Sequence, residues 1–342
     1  MKILANSAVF PSRVVTNQDI AADVLRRSPH LPGNAGGKIA RLLASTGAHT
    51  RRILESNETT LALTVLACET ALAQLNGPVL VDCILYAGLF SQELAEPASA
   101  PLLAHEIGLD NVRAYDMRMA CDGWMIAAST ADALIHSGRY KCVMIVCGEY
   151  PMEPCNGVYP ELFALNKLDD LEHRFPGLTL GSAATATIIS CGGERWKFRE
   201  NIRNDLYDLC TITVPGRQQT NASSPRVARS GFGVFTSYGG DLFKNGLPAA
   251  IKTFKELGVD VATIKKLFTH SSSKRDWEIG AKTAGLDGKL YDIYHRYGNV
   301  VTASIPAAMA LAEQEGELCR GDRIALCTAS AGMSFSAATF IY

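Results

Sequence analysis

Tyr115-Asp116-Met117-Arg118-Met119-Ala120-Cys121-Asp122-Gly123-Trp124 opens the stretch on which the reading of this chain turns. A run of small residues follows to Ser137, then Gly138-Arg139-Tyr140, then the apolar run Val143 to Cys147. This succession reads as an extended segment, an Ala-rich helix and a buried strand. Cys121 falls where the extended segment meets the helix, and free backbone N–H groups with the helix dipole favour a thiolate there. It is the candidate nucleophile. On spacing alone an inert buried thiol would fit the same place, so the weight falls on two later stretches.

The first is Lys266-Leu267-Phe268-Thr269-His270, a short strand closed by a histidine; the second is Arg296-Tyr297-Gly298-Asn299, followed by Ala303-Ser304-Ile305-Pro306. Taken with Ala120-Cys121-Asp122-Gly123-Trp124 and Ser137-Gly138-Arg139-Tyr140, in that order along the chain, they resemble the catalytic motifs of β-ketoacyl-acyl-carrier-protein synthase III. The resemblance extends weakly from the N-terminus to Tyr342. It implies an α/β, thiolase-like fold in which two similar halves form a layered αβαβα core, usually as a homodimer. Residues 1–192 would carry the nucleophile and residues 193–342 the His and Asn. The implied roles are Cys121 as acyl carrier and His270 with Asn299 as a donor pair for the enolate formed when a malonyl thioester loses carbon dioxide. The backbone N–H of Cys121, with Ala331 and Gly332 in the family's glycine-rich turn, would form an oxyanion hole. Lys244 and Arg275 match basic positions that contact phosphopantetheine or an acidic carrier protein.

Composition bounds the partners. The 342 residues suffice for two ordinary domains or one duplicated unit. With 33 basic against 34 acidic side chains, nothing suggests a nucleic-acid footprint or a membrane-surface field. The ten cysteines sit mostly in apolar runs without a C-x-x-C pair, which suits reduced thiols in a cytoplasmic protein. No stretch has the roughly 18 to 20 apolar residues that span a bilayer, and the N-terminus does not read as a signal peptide. No metal or cofactor is expected. The expected ligands are acyl-carrier-protein or coenzyme A thioesters.

Along the chain, residues 2 to 9 read as a strand and Thr16 caps a helix through Arg26. Ser28 to Gly37 reads as a loop, Thr59 to Leu75 as a helix, Val79 to Leu89 as a buried strand and Leu102 to Ile107 as a helix. Tyr150 to Pro176, with no sustained apolar period, reads as a long surface excursion. Thr179 to Ile189 resembles the family's strand that closes the first half, and Pro215 to Gly233 reads as a mobile loop. Helices over residues 240–257, 273–284 and 302–316, with strands ending at His270 and running from Arg323 to Cys327, complete the second half. Helix, short turn and strand occur in the same order in both halves, which suggests a duplication.

Several residues depart from the family pattern. Arg41 and Ser45 stand where a Trp and an Arg clasp coenzyme A. His270 is followed by Ser271-Ser272-Ser273, the segment Gly181-Ser182-Ala183-Ala184-Thr185 has lost glycines, and Asp122 follows the nucleophile, where its carboxylate would oppose a thiolate unless turned away or paired. Glu96, beside Pro97, takes the place of an apolar residue gating the primer tunnel of the partner subunit. These changes suggest a synthase of specialised fatty-acid or polyketide biosynthesis. The competing readings are an acyltransferase of the same fold that acylates a hydroxyl or amine, and a non-catalytic partner subunit of a synthase.

Overall fold

The computed structural model describes residues 1–77, 80–90, 93–154, 158–214 and 216–342. The chain opens with β1 (Lys2–Val9), β2 (Arg13–Thr16), α1 (Asn17–Arg27), α2 (Ala35–Ser45) and β3 (Thr50–Ile53). Next come α3 (Thr60–Ala73), β4 (Cys83–Tyr86), α4 (Ser99–Glu106), β5 (Arg113–Asp116), α5 (Gly123–His136), β6 (Cys142–Glu149), α6 (Leu171–Arg174) and β7 (Ala183–Ser190). The remainder forms β8 (Lys197–Ile202), β9 (Cys210–Thr211), β10 (Thr236–Ser237), α7 (Gly239–Lys255), β11 (Lys266–Thr269) and α8 (Lys274–Thr283). It ends with β12 (Leu290–Tyr291), α9 (Tyr294–Tyr297), α10 (Ser304–Gln314), β13 (Arg323–Ser330) and β14 (Ser334–Ile341).

Two five-stranded sheets dominate, one in the order β1-β7-β6-β4-β5 and the other β12-β11-β13-β14-β8. Written from β8, the second repeats the first strand for strand. In each, the two outer pairs on one side are antiparallel and the remaining two pairs are parallel. The helices follow the same rule. Trp124, Ala127, Ala128 and Ala131 of α5 pack with Ile305, Ala308 and Leu311 of α10 in one core that takes side chains from both sheets. Cys68 and Leu103 of α3 and α4 cover the outer face of the first sheet, and Ala250, Phe254 and Trp277 of α7 and α8 cover that of the second. The result is a layered αβαβα stack. The small residues of α5 and α10 let the two sheets approach, because interiors pack to crystal-like density and tolerate little excess volume.

Polar links cross this middle layer. Trp124 Nε1 donates to Thr187 Oγ1 (3.1 Å), Thr187 Oγ1 to Asn6 Oδ1 (2.8 Å), and Asn6 Nδ2 to the Pro306 carbonyl (2.8 Å). Thr16 caps α1 in a full capping box with Asp19, as its sequence suggested. The Ser28 to Gly37 loop is shorter than expected, since α2 begins at Ala35 and buries Ile39 and Leu43. Tertiary burial outweighs the poor helix propensity of Gly36 and Gly37.

The segment after β6 is not the surface excursion that its prolines suggested. Met152, Val158, Leu162, Phe163, Leu165, Leu171 and Leu178 are buried against α1 and α2, forming a cap that Cys121 packs under. The strand expected over Val79 to Leu89 is confined to β4, Val79 itself lying outside the described residues. Of the loop expected from Pro215 to Gly233, Pro215 is likewise outside; residues 216–233 hold no α-helix or strand, and Arg226 ties them to Asp208 (3.7 Å) and Asp241 (2.9 Å). No helix among the described residues is long and apolar enough to cross a membrane.

Candidate active site

Cys121 lies in a single 3-10 turn, Ala120–Asp122, between β5 and α5. Ala120 adopts φ 42°, a left-handed conformation that costs an L-residue roughly 1 to 2 kcal/mol. That kink redirects the chain from strand to helix. Gly123 is required by the space it leaves: a Cβ there would meet the Ala87 carbonyl oxygen and Thr302 Cγ2, each at 2.8 Å.

Cys121 is half-buried, and desolvation of its thiol pushes the pKa well above the ordinary range, with Cys210, Glu149 and Asp122 adding to the rise. The thiolate expected from a helix start is therefore not the resting state. Desolvation and two nearby carboxyl groups outweigh the N–H groups at the helix start. Asp122 itself turns away from the thiol. Its carboxylate accepts from the hydroxyls of Thr328, Ser334 (3.0 Å) and Ser336 (2.7 Å) on β13 and β14. Burial raises the Asp122 pKa, and these hydroxyls oppose the rise.

His270 follows β11 and is buried. Ser304 Oγ lies 3.3 Å from its Nδ1 and donates to the Val301 carbonyl (2.6 Å). Burial lowers the imidazole pKa to about 4, opposed by a hydrogen bond to the Val301 backbone, so the ring is neutral near pH 7. Asn299 is half-buried, and its Oδ1 accepts from the Val301 N–H (2.9 Å). An N–H donor requires the amide oxygen there, which leaves Nδ2 as the outward donor. The Asn299 backbone is locked against the closing segment of the first half: its N–H donates to Thr179 (2.9 Å) and its carbonyl accepts from Gly181 (2.9 Å). Only glycine fits at two of these positions. A Cβ on Gly298 would sit 2.3 Å from the Thr179 oxygen, and one on Gly181 would sit 2.1 Å from that of Tyr297. The glycine-poor sequence after Gly181 thus retains the one that the close approach demands.

All three residues meet around one turn, Val301–Ala303. Val301 contributes its N–H to Asn299 and its carbonyl to Ser304 and His270, and its side chain shares a core cluster with Cys121. The Ala331-Gly332 turn joins β13 to β14 beside the nucleophile, Ser330 Oγ accepting from the Asp122 N–H (3.2 Å). Lys244 and Arg275 are exposed on α7 and α8, helices that pack on each other through Gly280 and Leu247. Glu96 is exposed in the segment before α4. Arg41 and Ser45 are exposed on α2, and Ser45 Oγ is spent on the Leu42 carbonyl (2.7 Å).

Two groups at this site escaped the sequence reading. Glu149 ends β6, wholly buried, and its Oε1 accepts from the Leu89 N–H (2.9 Å) and the Thr302 hydroxyl. Burial raises its pKa to about 7, against hydrogen bonds from Thr302 and Leu89. An acid closing an otherwise apolar strand was the available signal. Cys210 on β9 is the other; it is half-buried, and desolvation, opposed by a hydrogen bond with Ser237, pushes its thiol up to about 12.

A duplicated αβαβα stack with a cysteine at the start of the middle-layer helix is the thiolase-like fold that the resemblance implied. Two family models match the chain: 3-oxoacyl-[acyl-carrier-protein] synthase III over residues 115–154, and the C-terminal part of that synthase over residues 254–342. A β-ketoacyl-[acyl-carrier-protein] synthase III from Neisseria meningitidis is 26% identical over 347 residues, covering 100% of this chain and 99% of its own. One from Desulfitobacterium hafniense is 24% identical and covers 98% and 96%. Among solved structures, 3-oxoacyl-[acyl-carrier-protein] synthase III from Aquifex aeolicus superposes with a TM-score of 0.79 at 22% identity, covering 100% and 99%. Xanthomonas campestris OleA with bound lauric acid and lauroyl-CoA does so at 0.83 and 20%, covering 99% and 98%. Over nearly its whole length the chain is thus similar to β-ketoacyl-[acyl-carrier-protein] synthase III, an acyltransferase-type condensing enzyme.

Proposed function

We propose that the protein loads an acyl group on Cys121 and condenses it with a malonyl-type thioester in specialised fatty-acid or polyketide biosynthesis. Cys121 sulfur attacks the donor thioester carbonyl, and the donor thiol leaves with the proton that the cysteine gives up. The malonyl partner then loses carbon dioxide. Its enolate attacks the Cys121 thioester, expelling the cysteine sulfur and forming a β-ketoacyl thioester. His270 and Asn299 stabilise the enolate oxygen as neutral donors. For His270 to donate to that oxygen the neutral ring must carry its proton on Nε2, which requires the Ser304 hydroxyl hydrogen to turn from the Val301 carbonyl to Nδ1; Asn299 presents Nδ2.

The observation that carries this reading is the convergence of Cys121, His270 and Asn299 on the Val301 turn. The acyl donor is a carrier-protein thioester, for which the exposed Lys244 and Arg275 offer basic contacts, while Arg41 and Ser45 lack the indole and guanidinium that would grip coenzyme A. The division into residues 1–192 and 193–342 is supported by the two matching sheets, whose strands end at Ser190 and resume at Lys197. A homodimer, with Glu96 reaching the partner's primer tunnel, is supported by β5, an edge strand with unpaired backbone groups.

The test is to expose pure protein to a panel of acyl thioesters, weigh it intact, and follow carbon dioxide release from malonyl thioesters. Acylation abolished by Cys121→Ala, with carbon dioxide and β-keto product from the loaded wild type, is the expected result. If no malonyl donor releases carbon dioxide, yet the acyl group passes to an alcohol or amine, the acyltransferase reading replaces this one.

A further inference from the structure

Glu149 has no part in the chemistry above, yet its position joins every segment that does. It is the last residue of β6, in the centre of the first sheet. One oxygen takes the Leu89 N–H, at the start of the segment that leads to Glu96, and the Thr302 hydroxyl, in the turn that holds Asn299 and faces His270. The other, Oε2, has no hydrogen-bond partner among the described residues. Thr302 in turn presses its methyl towards Gly123 at the start of the nucleophile helix, where even one added carbon would collide with it.

The duplication gives this contact a counterpart. Val301, like Ala120, is a non-glycine residue at positive φ (49°), and each begins a 3-10 turn that runs into a middle-layer helix. Counting from those residues, Thr302 stands in the second half where Cys121 stands in the first. Counting along the eight-residue strands β6 and β13, Glu149 stands where Ser330 stands. Ser330 accepts the Asp122 N–H beside Cys121, and Glu149 accepts the Thr302 hydroxyl. Each half's central strand therefore ends on a side chain that holds the other half's turn.

We infer that Glu149 is a positioning residue for condensation: by gripping Thr302 and Leu89 together it fixes the Asn299-bearing turn against the nucleophile helix. This rests on the condensing function proposed above. Its carboxyl group also stands near Cys121, Cys147, Tyr150 and Arg118, so its charge bears on the thiol as well as on the turn.

Thr302 provides the gentlest test. Thr302→Val keeps the methyl beside Gly123 and puts a second methyl in place of the hydroxyl; Thr302→Ser keeps the hydroxyl. Displacing a catalytic donor by about 1 Å costs about 10²-fold, so T302V should lower β-keto product formation by that order while loading of Cys121 changes far less. T302S should recover most of the loss. Glu149→Gln, which keeps an acceptor and removes the charge, should retain more condensation than Glu149→Ala and should speed alkylation of Cys121 by iodoacetamide at pH 8. The inference is overturned if folded T302V and E149A condense at the wild-type rate, or if T302V and T302S behave alike. Should the wild type release no carbon dioxide from any malonyl donor, the proposed function fails on its own, and alkylation decides this point: unchanged Cys121 alkylation in E149Q, E149A and T302V overturns the positioning role.

Discussion

The turn at Ala120–Asp122 and the turn at Val301–Ala303 share a backbone and differ in chemistry. Both begin with a residue at positive φ, both feed a helix of small residues, and both are held by the end of a strand from the opposite sheet. In the first, the second residue is a cysteine and the third an acid drawn off into a cage of hydroxyls. In the second, the corresponding residue is Thr302, spent on a hydrogen bond, and the donors proposed for the chemistry are Asn299 just upstream and His270 across from it. A duplicated backbone thus offers two equivalent places for a reactive group. On the proposed reading one presents the nucleophile and the other organises the donors.

Changes that erase the nucleophile should have the largest effect. Cys121→Ala should abolish acylation seen by intact mass, and a thiol moved across by Thr302→Cys in that background should not restore it, because the second site is sealed by Glu149 and Gly123. Asn299→Ala comes next. Losing one preorganised donor to an oxyanion typically costs about 10² to 10³ in rate, so carbon dioxide release should fall by that factor while Cys121 still loads.

A pH series separates two groups that both pack on the second turn. His270, lowered from 6.5 to about 4, adds stability that is complete above pH 6.5 and lost as pH falls towards 4. Glu149 works in the opposite sense. Its pKa, raised from 4.5 to about 7, makes folding progressively less favourable as pH rises from 4.5 through 7, a penalty of about 3 kcal/mol when complete. The two contributions offset each other between about pH 4.5 and 6.5. Denaturant unfolding of Glu149→Gln should expose the rise due to His270, and His270→Gln the fall due to Glu149. The smallest expected difference concerns the donor: carrier-bound acyl groups should load faster than the same groups on coenzyme A, and equal rates would remove the meaning assigned to Arg41 and Ser45.

Local signals were legible in the sequence wherever local interactions decide the structure. The Thr16-capped helix α1, the helix read from Thr59 to Leu75 and the Ala-rich α5 all emerged at or near their expected bounds. The motifs around Cys121, His270 and Asn299 were enough to indicate the family that the comparisons support. What stayed hidden depends on contacts distant in sequence. β14 is buried along nearly all its length, so it shows no alternation to read. α2 starts in glycines and is held by burial of Ile39 and Leu43. The cap from Met152 to Leu178 was masked by prolines, although its leucines and Phe163 are core residues. The protonated thiol of Cys121 and the role assigned to Glu149 could not be read at all, because both depend on which carboxyl groups the fold brings beside the cysteine.

The hydroxyl cage around Asp122 bears on how the cysteine will respond to reagents. Three alcohols hold that carboxylate, with no cation paired to it among the described residues, and Glu149 contributes a second acidic group near the sulfur. Charge buried in this way is little screened by dissolved ions. An electrophile that carries its own carboxylate, such as iodoacetate, should therefore modify Cys121 more slowly than neutral iodoacetamide by a wider margin than it does a free thiol. Added salt should leave that margin largely in place, making the pair of reagents a gauge of the field inside the closed site.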